Sequence, residues 1–262
     1  MKISIIGAGN IAWHLAKALE QADMDIIEVY SRDRRKAKSI TQELYQSDAT
    51  NSLNFKDSEA ELFVMAVSDN AIEEVAAQIE LPEESILIHT SGSVPLEVLE
   101  ITKKMNPDCI LGVFYPLMTF TKGKNVAFRT VPICIEGDTS ETTHILSKIA
   151  KKVSNEVYEV NSQDRKVLHL AAVFACNFTN HLFALSKEIL NEEGLNFEIL
   201  KPLISETLNK GMAAKHPAEV QTGPAVRRDS NTIETHRQLI KDDEDLLKVY
   251  DTLTESIQDW HK

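Results

Sequence analysis

Residues 2–21 read KISIIGAGNIAWHLAKALEQ, and the meaning of the two glycines at 7 and 9 decides the fold. Lys2 to Ile6 is a strand-like apolar run. After it, Ile11, Ala12, Leu15, Ala16 and Leu19 recur at helical spacing. The junction, Gly7-Ala8-Gly9-Asn10-Ile11-Ala12, has the form G-x-G-x-x-A. In that pattern the first glycine makes the turn, the second lets backbone approach a pyrophosphate, and the last small residue keeps the helix close to the strand. A helix that starts at Asn10 and Ile11 presents N–H groups without partners and the positive end of its dipole, so it binds phosphate without a charged side chain. A plain strand-to-helix turn also uses glycine. The position inside a βαβ unit favours a dinucleotide site contacted by Gly7, Gly9, Asn10, Ile11 and Ala12.

The residues that follow extend the βαβ reading. Further strand-like runs fall at Asp25 to Tyr30, Glu61 to Val67, Ser85 to His89 and Val131 to Ile135, with helical patterns at Ile11 to Gln21, Asp33 to Tyr45, Asn70 to Ile79 and Pro95 to Lys104. Such alternation builds a mostly parallel, doubly wound α/β sheet. From Ser162 onward the strands give way to long helical patterns, broken at Gly194, Pro202, Gly211, Pro217 and Gly223-Pro224. Two domains are expected, a dinucleotide-binding domain over residues 1–160 and a helical substrate and dimerisation domain over 161–262. The helix from Ser162 to Glu193 is apolar nearly all round between Val167 and Cys176, which predicts burial on most sides, at a hinge, a dimer interface or both.

Composition narrows the possible partners. The 262 residues include 28 Lys and Arg against 40 Asp and Glu, a net charge of −12, and 43% are hydrophobic. That field repels a nucleic-acid backbone, so any anion site must be local. The three cysteines, Cys109, Cys134 and Cys176, are widely spaced in apolar sequence, as expected of buried reduced thiols and not of a metal site or disulfide framework. No signal-peptide pattern stands at the N-terminus and no run reaches about 18 apolar residues, so a cytoplasmic protein without a membrane partner is expected.

Ligand contacts in such sheets lie just beyond the strand ends. At the end of the second strand an acidic residue would bind the ribose hydroxyls of NAD. Here the tip reads Tyr30-Ser31-Arg32-Asp33-Arg34-Arg35. The hydroxyl of Ser31 and the guanidinium of Arg32 suit a 2'-phosphate, which favours NADP. Arg35 and Lys36 read as charge on a solvated helix start, and Asp33 as its cap. Ser68 and Asp69 either contact the cofactor or cap the following helix. Ser91, in the His89-Thr90-Ser91-Gly92 tip, either borders the nicotinamide end or belongs to a polar turn leading to Pro95.

Three stretches, IHTSGSVP at 88–95, GVFYPLMTF at 112–120 and TGPAVRRDSNTIETH at 222–236, together with the helical second half, resemble a family of Rossmann-like NADP oxidoreductases. These are relatives of pyrroline-5-carboxylate reductase and, more distantly, of 6-phosphogluconate and β-hydroxyacid dehydrogenases. The resemblance implies a substrate held between the nucleotide domain and the long helix, often with help from a second subunit. It also exposes two departures. The family's middle motif has His-Pro where this chain has Tyr115-Pro116, so the position offers a phenol as proton donor. The lysine four residues before the helix asparagine of β-hydroxyacid dehydrogenases is Val173 here.

Hydride transfer needs a donor for the charge that develops on the acceptor's heteroatom. His169, Asn177 and Asn180 share a helical stripe at 100° per residue, with His169 and Asn177 about 12 Å apart along the axis. Asn177 either faces substrate or is a structural amide that bridges helices or subunits, and His169 reads as a core or interface histidine. Arg227, in the Gly-Pro segment with Arg228, could hold a substrate carboxylate by bidentate hydrogen bonds, the alternative being plain surface loop charge. The expected function is NADP-dependent hydride transfer to or from a small imine, ketone or hydroxy compound by a homodimer, with Tyr115, Asn177 and Arg227 at the reacting end. The alternative is an NADP-binding sensor without turnover.

Overall fold

A computed structural model describes residues 1–262 and divides them into two compact units, Met1–Val173 and Phe174–Lys262. The composition changes near residue 160, whereas the division by compactness falls inside the helical run that begins at Ser162.

The first unit is an eight-stranded sheet: β1 (Lys2–Ile6), β2 (Asp25–Tyr30), β3 (Asp48–Thr50), β4 (Leu62–Met65), β5 (Ile86–His89), β6 (Ile110–Pro116), β7 (Ile133–Gly137) and β8 (Val157–Glu159). Their order is β3-β2-β1-β4-β5-β6-β7-β8, parallel throughout except for the β6–β7 pair. Strand order therefore reverses between β1 and β4, the switch point where such sheets open a crevice. The register Ile5↔Val64 and Phe63↔Leu87 carries the strand alternation across the sheet.

That alternation splits the core into two layers. Ile3, Ile5, Leu62, Val64 and Ile88 pack against α1 (Asn10–Glu20), α2 (Arg34–Thr41) and α4 (Ser140–Val153). Ile6, Phe63, Met65 and Leu87 pack on the other face against α3 (Asp69–Gln78) and Leu99 of the 3₁₀ helix Leu96–Lys104. The Pro95–Lys104 segment is thus a tighter helix than its pattern suggests. The helix expected to reach Tyr45 stops at Thr41, and Tyr45 is 92% exposed. The short edge strands β3 and β8 and the strand β6 carry no expectation from the pattern, since three-residue strands have too few residues to alternate and β6 sits inside a motif read for its chemistry.

The first unit ends with α5 (Ser162–Ala172), capped by the Asn161 side chain on the Asp164 N–H. A π-helical turn, Val173–Phe178, follows and leads into α6 (Thr179–Glu192). Against the expectation that no run is apolar enough to cross a bilayer, the helical run Ser162–Glu192 is long and apolar enough, by length and composition only, to do so. Its expected burial is not found: Val167 is 60% and Phe174 63% exposed, and Cys176 is exposed while Cys109 and Cys134 are buried.

The second unit continues with α7 (Lys201–Ala213), α8 (Pro224–Arg227), α9 (Ser230–Leu239) and α10 (Glu244–Trp260). Ala225 is its only buried hydrophobic residue. A groove of about 320 Å³ lined by Leu182, Ile189, Leu239, Leu246 and Leu253 runs within it.

Candidate functional site

The first turn of the chain forms a cradle, and its two glycines are required for different reasons. Gly7 has φ +126°, and a Cβ there would lie 2.3 Å from the Ala66 carbonyl oxygen, so the backbone just past β4 excludes any side chain. Gly9 has an ordinary extended conformation and nothing within 4 Å of where its Cβ would stand. Only a ligand would meet a side chain at that position. Gly9 caps α1 without a side-chain hydrogen bond, and the first turn carries no acidic residue. The N–H groups at Asn10 and Ile11 therefore face this space with the helix dipole behind them. A diphosphate fits that combination of open room, bare N–H groups and positive potential.

The cradle opens into a cleft of about 280 Å³ lined by Gly7, Gly9, Tyr30, Ser31, Arg32, Lys36, Val67 and Ser68, at the tips of β1, β2 and β4. Ser31 is fixed by its N–H donating to the Thr50 carbonyl. The four neighbouring cations have separate fates. Arg34 donates to the Ala49 carbonyl, and Arg35 is paired with Asp33, whose carboxyl its hydrogen bonds hold below the usual range. Arg32 and Lys36 line the cleft. Lys36 was expected to decorate a helix surface. It reaches the cleft because it stands in the first turn of α2, which Asp33 starts immediately beyond the β2 tip.

Ser68 caps α3 by position but without a side-chain hydrogen bond, and it lines the cleft. Ser91 is used differently: its Oγ accepts from the N–H groups of Ser93 and Val94, so its hydroxyl shapes the turn after β5. Ser93 in turn donates to Asp69 at 2.5 Å. The segment after β6 folds along the start of α1, where Asn10 donates to the Phe120 carbonyl and His14 Nε2 lies 2.9 Å from the Thr121 carbonyl.

At the tips of β5 and β6 stands a second constellation. Tyr115 Oη lies 3.1 Å from His169 Nδ1, with the rings edge to face. Gly92 makes room for them: a Cβ there would lie 2.6 Å from Tyr115 Cζ and 2.7 Å from His169 Nδ1. Beneath is a buried polar network. Arg165, 1% exposed, pairs with Glu136 of β7 and donates to the Val94 carbonyl at 2.8 Å. Glu136 also accepts from the N–H and hydroxyl of Ser162, and the Ser162 hydroxyl accepts from the Leu96 N–H. His89 is fully buried, and its Nδ1 accepts from the Ser91 N–H. Burial, and then the Arg165 charge, push its pKa down to about 4.

Neither Arg165 nor Glu136 is marked in the sequence as anything but helix and strand charge: Arg165 sits among polar residues at a helix start, and Glu136 at the end of an apolar strand. Their partners are up to 71 residues apart in the chain. Among the expected site residues, the first unit brings Gly7, Gly9, Asn10, Ile11, Ala12, Ser31, Arg32 and Ser68 to the cradle end, and Ser91 and Tyr115 to the β5–β6 end. Asn177 and Arg227 belong to the second unit. Asn177 is exposed within the π-helical turn and Arg227 is exposed at the last position of α8. The π turn, whose hydrogen bonds run i→i+5, interrupts the 100° spacing on which the stripe His169, Asn177, Asn180 was drawn.

Comparison with known proteins agrees with this geometry. Residues 2–92 match the family described as NADP oxidoreductase coenzyme F420-dependent, and residues 131–257 match the domain of unknown function DUF2520. The solved structure of BF3122 from Bacteroides fragilis, provisionally designated an NADP oxidoreductase, is 39% identical with TM-score 0.89, covering 98% of each chain. The fold is also that of a reductive aminase from Aspergillus terreus, solved with NADPH and ethyl-5-oxohexanoate (13% identity, TM-score 0.73, 97% of this chain and 92% of that one). A third likeness is 1-pyrroline-5-carboxylate reductase from Streptococcus pyogenes (12% identity, TM-score 0.61, 99% of this chain and 98% of that one). No curated protein matches the sequence. With its nucleotide cradle, its helical second half and these matches, the chain belongs to the family of NADP oxidoreductases that joins a dinucleotide-binding domain to DUF2520.

Proposed function

We propose that this NADP oxidoreductase reduces a small imine or ketone, or oxidises the corresponding amine or hydroxy compound, and that it works as a homodimer. The carrying observation is the open space at Gly9 beside a cleft whose cations are Arg32 and Lys36. When bound, NADPH supplies a hydride. The N–H groups of Asn10 and Ile11 grip the diphosphate, while Ser31, Arg32 and Lys36 receive the 2'-phosphate. Adjacent strands are about 4.8 Å apart, so the β6 tip lies roughly 14 Å across the sheet from the β1 cradle. Tyr115 stands there, and its phenol donates the proton that the reduced heteroatom requires. Within the second unit, the exposed Asn177 offers an amide and the exposed Arg227 a guanidinium that could bind a carboxylate.

Imine chemistry is favoured by two proteins of the same fold, one named for reductive amination and one for reduction of a cyclic imine. A dimer is favoured by the second unit, where Phe174, Phe178, Leu203 and Met212 are exposed and a helical domain lacks a core of its own. Purified protein should oxidise NADPH, followed by absorbance, with at least one of 1-pyrroline-5-carboxylate, cyclohexanone plus allylamine, or pyruvate. Tight NADPH binding with no consumption across this panel would overturn the substrate class. A monomer by light scattering at micromolar concentration would overturn the dimer.

A further inference from the structure

We propose that His169 is a positioning residue that donates its Nδ1–H to Tyr115 Oη and so directs the phenolic hydrogen toward the substrate heteroatom, and that the Arg165–Glu136 pair sets it there. The inference rests on the proposed oxidoreductase reading and adds to it a residue that acts through the proton donor.

The geometry comes from one face of one helix. Arg165 and His169 are four residues apart in α5 and lie on the same side, one turn above the other. Arg165 is tied to the turn after β5 through the Val94 carbonyl and to β7 through Glu136. Ser162, at the start of the same helix, accepts from the Leu96 N–H. These bonds hold α5 at a fixed height over the turn that contains Gly92. The next turn of the helix then delivers His169 to Gly92 and to Tyr115 Oη at 3.1 Å. The absence of a side chain at 92 is what admits the imidazole, because a Cβ there would collide with both partners.

The tautomer decides the chemistry. A phenol has one hydrogen and two lone pairs, and a neutral imidazole has one N–H and one bare nitrogen. If bare Nδ1 accepts from Tyr115, the phenolic hydrogen is spent on the imidazole. If Nδ1–H donates, the phenol accepts from His169 and its own hydrogen points elsewhere than to the ring. In the reductive direction bound NADPH would supply the hydride that forms the C–H bond as the π bond to the heteroatom breaks. The heteroatom takes the Tyr115 proton, the substrate is reduced and the nicotinamide oxidised. The tyrosinate is stabilised meanwhile by the Nδ1–H bond, and water returns its proton.

The test reads the tautomer first, on the ligand-free protein with isotope-labelled histidine, by long-range nitrogen–proton correlation. The His169 signals, identified by their loss in His169→Asn, should show Nδ1 protonated. An unprotonated Nδ1 overturns the proposal, whatever the protein turns over. Turnover of the panel above gives the second readout. His169→Leu should lower kcat about 100-fold, the scale of one misaligned proton donor. His169→Asn, whose amide N–H stands near the Nδ1 position, should recover to within about tenfold of the parent. Both variants should keep NADPH affinity within about twofold and their melting transitions. Full kcat in the leucine variant, or an asparagine variant as slow as leucine, overturns the proposal. Failure of the parent protein to bind NADPH would break the dinucleotide reading, and the tautomer would still decide the pair.

Discussion

The two ends of the sheet's ligand edge are built by opposite means. At the tips of β1 and β2 the binding groups are backbone N–H groups, an absent side chain at Gly9 and cations in open cleft, all within residues 7–36. At the tips of β5 and β6 they are side chains held by a buried ion pair, and the bonds join residues 94, 96, 115, 136, 162, 165 and 169 from four separate segments, with Gly92 making room for them. The cradle is local and tolerant of its surroundings. The second corner depends on tertiary bonds that are each worth little unless all are formed.

This contrast predicts where substitutions do most damage. The largest effect is expected at Arg165→Met, which leaves Glu136 without its cation and frees the Val94 carbonyl. Removing one partner of a buried pair costs about 3–5 kcal/mol, measurable by urea unfolding. A loss below about 1 kcal/mol would mean that the two corners are not built differently after all.

The glycines sharpen the same comparison inside the cradle. Gly7→Ala meets the Ala66 carbonyl and a positive φ, and should lose about 3 kcal/mol of stability. Gly9→Ala should leave the melting transition in place yet weaken NADPH about tenfold or more by calorimetry, because its methyl would occupy the ligand's space. Equal destabilisation by both would remove the distinction between the turn glycine and the cradle glycine.

Acid should act on the second corner. His89 has a folded-state pKa of about 4, below the ordinary 6.5, so between these values the unfolded chain binds more protons. Stability from this group is therefore complete above about pH 6.5 and declines as pH falls toward 4. By pH 5 the loss is about 2 kcal/mol. His89→Gln should flatten that part of the stability curve, and an unchanged slope would show that His89 is not the group responsible.

The smallest effect is expected at the β2 tip. Arg32→Ala and Lys36→Ala should each reduce the preference for NADPH over NADH about tenfold, near 1.4 kcal/mol. Arg35→Ala, whose side chain is already bonded to Asp33, should change it little. If Arg35 mattered as much as Lys36, the cleft would not be selecting among the cations.

The residues sort themselves by how far apart their partners stand. The strand β1, the glycine turn, α1 and the Ser31-Arg32 tip are legible because each depends on neighbours within a few positions, through periodicity, φ freedom and an unpaired helix start. Lys36 was missed by one step, since its reach depends on where α2 begins. The expected burial of the Val167–Cys176 stretch is not what the fold gives, since Val167, Leu170 and Phe174 are exposed: an apolar pattern says that a helix is hydrophobic, and does not say what packs on it. His169 read as a core or interface histidine because nothing near it in sequence is its partner.

What the chain's order of residues determined by itself was the nucleotide half: a strand, a turn that only glycine can make, and a helix start left bare, all consequences of local sterics and hydrogen-bond supply. The placing of His169 against Tyr115, the burial of Arg165 with Glu136 and the depressed titration of His89 were decided only in three dimensions. A buried charge is tolerable solely where distant groups arrive to satisfy it, and no local pattern announces which groups those will be.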